Sequence, residues 1–184
     1  MVKSASHTEQ TRVRLDAVTD EHLLKFRAWF IAARPETQTC RPVRHATPEE
    51  TITAYHNREM TDAEQDYAIV RREDSALVGR IRYFSLNPRN RSAEIGYMIG
   101  PEFQNQGYAT EGLGLLLSLL FDEKSLNKVY AQTGEFNTAS IALLKRWGFH
   151  QDARLRQHHE LDGVLYDDLV FSLLAEEYRK LSVS

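Results

Sequence analysis

Cysteine is nearly absent. Cys40 is the one thiol in 184 residues, so no intramolecular disulfide can form. A chain of this length buries roughly 70% of its unfolded surface and needs neither a bridge nor a metal for stability. A lone cysteine also fits a reducing compartment, and a cytoplasmic protein is expected. With nine glycines and five prolines, the chain is not built like a linker or a disordered segment. It has little excess charge of either sign: 23 Lys and Arg against 26 Asp and Glu leave −3. That balance gives no electrostatic coat for nucleic acid, so direct nucleic-acid binding is not expected. Long apolar runs are missing too. The longest, residues 113–121 broken only by Gly114 and Ser118, reaches about half a membrane span. The polar first ten residues carry no signal-like apolar stretch. A polar tail over 1–11 and one domain over 12–181 are expected, with no membrane partner.

What the chain does contain is alternating periodicity. Val13, Leu15 and Val18 read as a first strand, followed by Asp20 as a helix cap. Leu23, Leu24, Phe26, Trp29 and Phe30 then fall on one helical face. Pro35 and Pro42 mark a loop over 34–46. Thr47-Pro48-Glu49-Glu50 is a helix start, with a cap, a first-turn proline and acids at the positive end of the dipole. That helix should run to about Met60. Period-two segments at 67–70, 77–84 and 93–99 read as strands, separated by turns at 73–75 and 87–90. A helix is expected over 108–121, a strand over 128–133 and a helix over 138–147 ending at Gly148. Strands over 154–161 and 165–173 are joined by Asp162-Gly163, and a last helix covers 175–181. The order β-α-α-β-β-β-α-β-α-β-β predicts a mixed sheet with helices on both faces. The unit from 93 to 133 predicts two parallel strands joined by a right-handed crossover.

The chemistry concentrates in Glu94-Ile-Gly-Tyr-Met-Ile-Gly-Pro-Glu-Phe-Gln-Asn-Gln-Gly-Tyr-Ala-Thr-Glu111. A strand ends at Gly100-Pro101, and a short loop leads directly into a helix. Unpaired N–H groups and the dipole suit a helix N-terminus to a phosphate or pyrophosphate. Gly107 allows close backbone approach, and Ala109 keeps the first turn clear, so an anion could bind there without Lys or Arg. No Gly-Lys-Ser/Thr follows, so this is not a Walker loop. Only one of the three glycines of a dinucleotide fingerprint is present.

Taken whole, the string resembles the acetyl-CoA-binding segment of the GNAT acyltransferases, of the RimJ/RimL type. Two further matches follow in order: Asn137-Thr-Ala-Ser140-x-x-Leu143-Leu144-x-x-x-Gly148-Phe149, and Gly163-x-x-Tyr166-Asp167-Asp168 before a closing apolar strand. The resemblance covers roughly residues 12 to 180. It implies an α/β (α+β) GNAT fold, a mostly antiparallel seven-stranded sheet whose central parallel pair splays apart. It also implies that the pantetheine arm of acetyl-CoA pairs with the strand edge at Tyr97, Met98 and Ile99. The pyrophosphate would rest on the amides of Gln104, Asn105, Gln106, Gly107, Tyr108 and Ala109, while Asn137 reaches the pantetheine. A homodimer is common among relatives, and the apolar last strand is a candidate contact, although core burial would explain it equally.

Acetyl transfer to an amine requires a base, an oxyanion donor and an acid. An α-amine titrates near ~8 and a lysine near ~10.4, while the leaving thiol titrates near ~8.5. A backbone N–H at Met98 or Ile99 could face the oxyanion. Many GNAT enzymes place a tyrosine four residues before the Gly-Phe pair, where this chain has Leu144. In the RimL-like branch a serine on the same helix is the candidate acid, which falls on Ser140. The candidate bases are His159 or Glu160, separated by a one-residue ambiguity, and Glu94 acting through water. Alternation puts His159 and Glu160 on opposite faces, so only one can face the cleft. Adjacent histidines at 158 and 159 diverge, and no metal is expected. The implied acceptor is a protein N-terminal α-amine or a small-molecule amine. The alternatives are a polyamine or aminoglycoside acetyltransferase and a non-catalytic acyl-CoA sensor.

Overall fold

The computed structural model describes residues 11–37, 39–43, 45–57 and 62–181. The chain runs β1 (Val13–Ala17), α1 (Asp20–Ala32), α2 (Pro48–Asn57), β2 (Gln65–Arg71), β3 (Leu77–Asn87) and β4 (Ser92–Ile99). It continues with α3 (Tyr108–Ser118), β5 (Lys128–Gly134), α4 (Thr138–Arg146), β6 (His150–Leu161), β7 (Val164–Leu174) and α5 (Ala175–Leu181). The element order is the one expected. The expected end of the second helix at Met60, and residues 1–10 of the polar tail, lie outside the described residues.

The seven strands form one sheet in the order β1-β2-β3-β4-β5-β7-β6. Every neighbouring pair is antiparallel except β4–β5. Helices cover both faces. On one side Leu23, Phe26 and Trp29 of α1 pack on Ala68 and Val70 of β2. On the other, Leu113, Leu116 and Leu117 of α3, Leu144 of α4 and Tyr178 of α5 join Ile69, Ile81, Ile95, Val129 and Phe171 in the main core.

Local chemistry accounts for the boundaries. Thr19, not Asp20, caps α1. Its hydroxyl accepts from His22 N–H while His22 Nδ1 accepts from Thr19 N–H, which leaves Asp20 in the first turn at the dipole's positive end. Thr47 and Glu50 form the same reciprocal cap ahead of α2. The apolar run after α3 departs from α-helical geometry as a π-turn over Leu119–Glu123. Asp162 and Gly163 both have positive φ, 54° and 78°, the two-residue geometry that joins twisted strands tightly. β7 lies between β5 and β6, with Leu169, Phe171 and Leu173 buried. Its apolar character is therefore accounted for inside the subunit, and it presents no free strand edge to a second copy.

Candidate active site

The parallel pair β4–β5 is short. Ser92, Ala93 and Glu94 pair with Lys128, Val129 and Tyr130, and from residue 95 the two strands separate. β3 stays paired with β4 through Ile99, and Gly100 N–H donates to Val78 O at 3.0 Å. Backbone groups of successive strand residues point to opposite edges. Gly100 and Met98 therefore face β3, whereas Tyr97 and Ile99 turn their N–H and C=O toward the gap. This corrects the expectation for Met98, whose backbone is directed at β3. A cavity of about 550 Å³ fills the opening. Its walls are Ile95 to Ile99 of β4, Ala131, Gln132 and Thr133 of β5, Trp29 of α1 with its C-cap Ala33, and Ser140 and Leu143 of α4 with its N-cap Asn137. An unpaired strand edge inside a sheet is costly unless something extended pairs with it.

Beyond β4 the chain makes a single turn over Pro101–Phe103 and enters the loop before α3. Gly107 caps α3 at φ 88°, ψ −4°, a conformation open to glycine at little cost. Bonds back to the Gly107 carbonyl begin with Thr110 and Glu111, so the N–H groups of Tyr108 and Ala109 open the helix without intrahelical partners. Gln104, Asn105, Gly107, Tyr108 and Ala109 all line the cavity. Gln106 turns its side chain back to Glu102 O at 3.0 Å. A cation does stand beside this loop, and no local sequence signal marks it. The Arg12 backbone N–H and Nε bond both carboxylate oxygens of Glu111 at 2.7 Å, and Nη2 donates to Gln106 O at 2.8 Å. Glu111 meets that charge, so the loop amides, with Arg146 of α4 also lining the cavity, remain as donors for an anion.

On α4, Asn137 Oδ1 accepts the Ser140 N–H at 3.1 Å and caps the helix. Ser140 Oγ lies 2.8 Å from the Tyr97 hydroxyl. Burial pushes the Tyr97 hydroxyl up to about 12, with the Ser140 hydrogen bond opposing the shift, so the pair stays protonated at neutral pH. Two hydroxyls in contact thus stand on the wall of a cavity that divides the sheet. The acetyltransferase (GNAT) domain family matches residues 12–150.

The chain belongs to the GNAT acetyltransferase family. It is 35% identical over 108 residues to "Uncharacterized N-acetyltransferase YoaA" of Bacillus subtilis (strain 168), covering 59% of this chain and 61% of that protein. Over 105 residues it is 34% identical to "Putative ribosomal N-acetyltransferase YdaF" of the same organism, covering 57% of each. The chain spans 57–63% of the length of the curated relatives it matches first. Its fold resembles that of a spermidine N-acetyltransferase from Vibrio cholerae solved in complex with CoA and spermine. The TM-score is 0.84 at 20% identity, over 91% of this chain and 98% of that one.

In this GNAT chain the three candidate bases occupy three different settings. Glu94 lies on β4 with 16% of its side chain exposed, and Arg41 Nη2 stands 3.8 Å from its carboxylate. Burial raises its pKa above the ordinary value against the opposing pull of Arg41 and Arg82. His159 is 3% exposed and fully engaged. Its Nδ1 faces Asp168 Oδ1 at 3.2 Å, its Nε2 faces Glu36 O at 2.6 Å, and Phe136 packs edge-on at 4.8 Å. Glu160 is exposed and accepts the Gly163 N–H across the β6–β7 hairpin. None of the three lines the cavity; Glu94 directly precedes Ile95, the first cavity-lining residue of β4. Alternation does divide His159 and Glu160 as expected, but the inward residue serves to tie strands together.

One further lining residue, Gln132, carries no sequence signal, whereas its partner Asp168 lies in the Tyr166-Asp167-Asp168 motif. Gln132 lines the cavity and donates through Nε2 to Asp168 Oδ2 at 2.7 Å. Asp168 is 1% exposed. Its neighbour Asp167 instead binds Arg154 and the Gln157 N–H. Burial and then Asp168 push the Cys40 thiol pKa up. A bulge at Gln157 (φ 52°) shifts the β6–β7 register. It leaves Cys40, His158 and Asp168 with ligand-type atoms within 4.8 Å of one another. This is a grouping of one histidine, not the adjacent pair considered from the sequence.

Proposed function

We propose that this protein transfers an acetyl group from acetyl-CoA to a primary amine by direct attack in a ternary complex. The observation that carries the reading is the parting of β4 and β5 after Glu94, with the Ser140–Tyr97 hydroxyl pair on the wall of the opening. The pantetheine arm pairs with the free edge at Tyr97 and Ile99, and its diphosphate rests on the amides of the loop before α3. Glu94 takes the proton from the incoming ammonium through water, and the freed amine attacks the thioester carbon. The Ile99 N–H faces the developing oxyanion. Collapse of the tetrahedral intermediate breaks the C–S bond; Ser140 Oγ, held by Tyr97, passes its proton to the leaving thiolate as it receives, through water, the second proton that the attacking nitrogen sheds, so both hydroxyls end neutral. Much of the acceleration comes from holding the two substrates in line.

The acceptor in this reading is a protein N-terminal α-amine or a small-molecule amine. Two findings support its two forms: the relative YdaF is named as a ribosomal N-acetyltransferase, and the Vibrio cholerae fold neighbour was solved with spermine. Titration calorimetry with acetyl-CoA, followed by thiol release against N-terminal peptides, polyamines and aminoglycosides, tests the proposal. Saturable binding with release for at least one amine class is expected. Binding without release for any class would identify a sensor, and absence of binding would end the reading.

A further inference from the structure

We propose that Gln132 orients the acceptor amine through its side-chain oxygen, and that Asp168 is the positioning residue that fixes which end of the Gln132 amide faces the cleft. The inference rests on the acyl-transfer reading and names the substrate feature the site selects.

Gln132 sits on β5 beyond the point where β5 leaves β4, and it lines the cavity. Val129 and Ala131 point into the core under α3. Alternation therefore puts Gln132 on the opposite face, with Tyr130, where Cys40 lies 3.6 Å from its Nε2. Which end of a glutamine amide carries the nitrogen is assigned from its partners, and here the partner decides it. Nε2 donates to a carboxylate oxygen at 2.7 Å. Turned over, the amide would set oxygen against oxygen at that distance in a buried setting, which is strongly unfavourable. Among the described residues no donor meets Gln132 Oε1, so the amide presents an acceptor to the cleft.

Asp168 is itself held from three sides. It lies beside His159 of β6, whose other ring nitrogen bonds the Glu36 carbonyl, and beside Cys40 of the segment after α1. Its carboxylate has no freedom to swing away and release the amide. A neutral primary amine has two N–H bonds: one can be held by Gln132 Oε1, while the other carries the proton lost as the amide product forms. An alcohol or a secondary amine has a single X–H bond and cannot fill both places. The geometry therefore selects primary amines.

The test uses the full chain and the primary amine that it acetylates best, compared with the N-methyl form of that amine. Gln132→Met keeps the length and removes the acceptor. It should lower kcat/KM for the primary amine about tenfold, leave acetyl-CoA affinity within about twofold, and erase the preference for the primary over the N-methylated amine. Asp168→Ala should raise the amine KM similarly, and the double variant should be no worse than either single one. Unchanged amine KM and discrimination in Gln132→Met would overturn the assignment, and so would additive losses. In the unaltered protein, the Gln132 Nε2H₂ resonances should exchange slowly with solvent. Rapid exchange would overturn the orientation whether or not any amine is turned over. A protein that binds acetyl-CoA, shows the slow resonances and acetylates nothing would refute the acyl-transfer reading alone.

Discussion

Replacing Gly107 with alanine probes the anion cradle at its most constrained point. Gly107 holds φ 88° and ψ −4°, and an L-residue in the left-handed region costs roughly 1–2 kcal/mol. The added Cβ would stand 3.1 Å from Arg12 Nη2, and that nitrogen is already committed to the Gln106 carbonyl. If the backbone keeps its shape, the strain appears as lost stability. At about 2–4 °C per kcal/mol for a chain of this size, Tm should fall by about 2–8 °C. If the backbone relaxes, the peptide between residues 106 and 107 rotates and at least one amide leaves the cradle. A hydrogen bond to a charged group contributes about 1.5–3 kcal/mol, so acetyl-CoA affinity should drop roughly 10- to 150-fold. Calorimetry with S-acetylpantetheine, which lacks the diphosphate, provides the control: its affinity should not change. Equal weakening of both ligands, or no weakening of either, would show that this loop does not hold the diphosphate.

Glu94→Gln should lower kcat/KM about 10²- to 10⁴-fold. In the unaltered protein activity should be lost as pH falls through a pKa above the ordinary glutamate value, because burial raises it. That raised folded-state pKa favours the protonated form. Glu94 therefore adds stability as pH drops toward its unfolded value and subtracts it at neutral pH, so Glu94→Gln should melt higher at pH 7.5. A lower melting point there would contradict the burial argument. Ser140→Ala strands the Tyr97 hydroxyl, for about 1–3 kcal/mol of stability, and should cut kcat while sparing acetyl-CoA binding. Unchanged kcat would remove Ser140 from the proton path. Acetyl-CoA at about 100 times its Kd should stabilise the fold by about 2.7 kcal/mol, with slowed amide exchange at Tyr97 and Ile99. Stabilisation without protection at those two amides would place the cofactor elsewhere.

The element order was legible because each segment carries its own periodicity and punctuation, from Thr47-Pro48 to Asp162-Gly163. The crossover from 93 to 133 was enough to predict the one parallel pair. Caps were legible in kind but not always in position: Thr19 outcompetes Asp20 because His22 can answer it from the third position. The loop and Ser140 lie on contiguous motifs and could be located from the sequence. Arg12 could not, because its partners are 94 and 99 residues away. The Gln132–Asp168–His159 tie could not either, since it joins three strands and depends on a register shift at Gln157. No periodicity encodes that shift. Reading β6 as a regular strand leaves the fate of His159 and Glu160 open, and only the tertiary partners separate a buried tie from a turn residue.

The parity of β4 explains why a split sheet suits this chemistry. Tyr97 packs toward α3 and α4, while Met98 packs toward α1, so odd and even positions serve opposite faces. Glu94 and Tyr97 differ by three residues, an odd number, and therefore project to opposite sides of one strand about 10 Å apart along it. In a closed sheet those sides never communicate. With β5 drawn away after Tyr130, the Ser140–Tyr97 hydroxyls and Gln132 border the opening, and in the proposed reaction Glu94 serves it through water from the face opposite Tyr97. The proton-taking carboxylate and the hydroxyl pair act on different atoms of the reacting centre, the attacking nitrogen and the leaving sulfur, and so approach it from different sides. Placing them on opposite faces of the same strand gives each its own side of the reacting carbonyl.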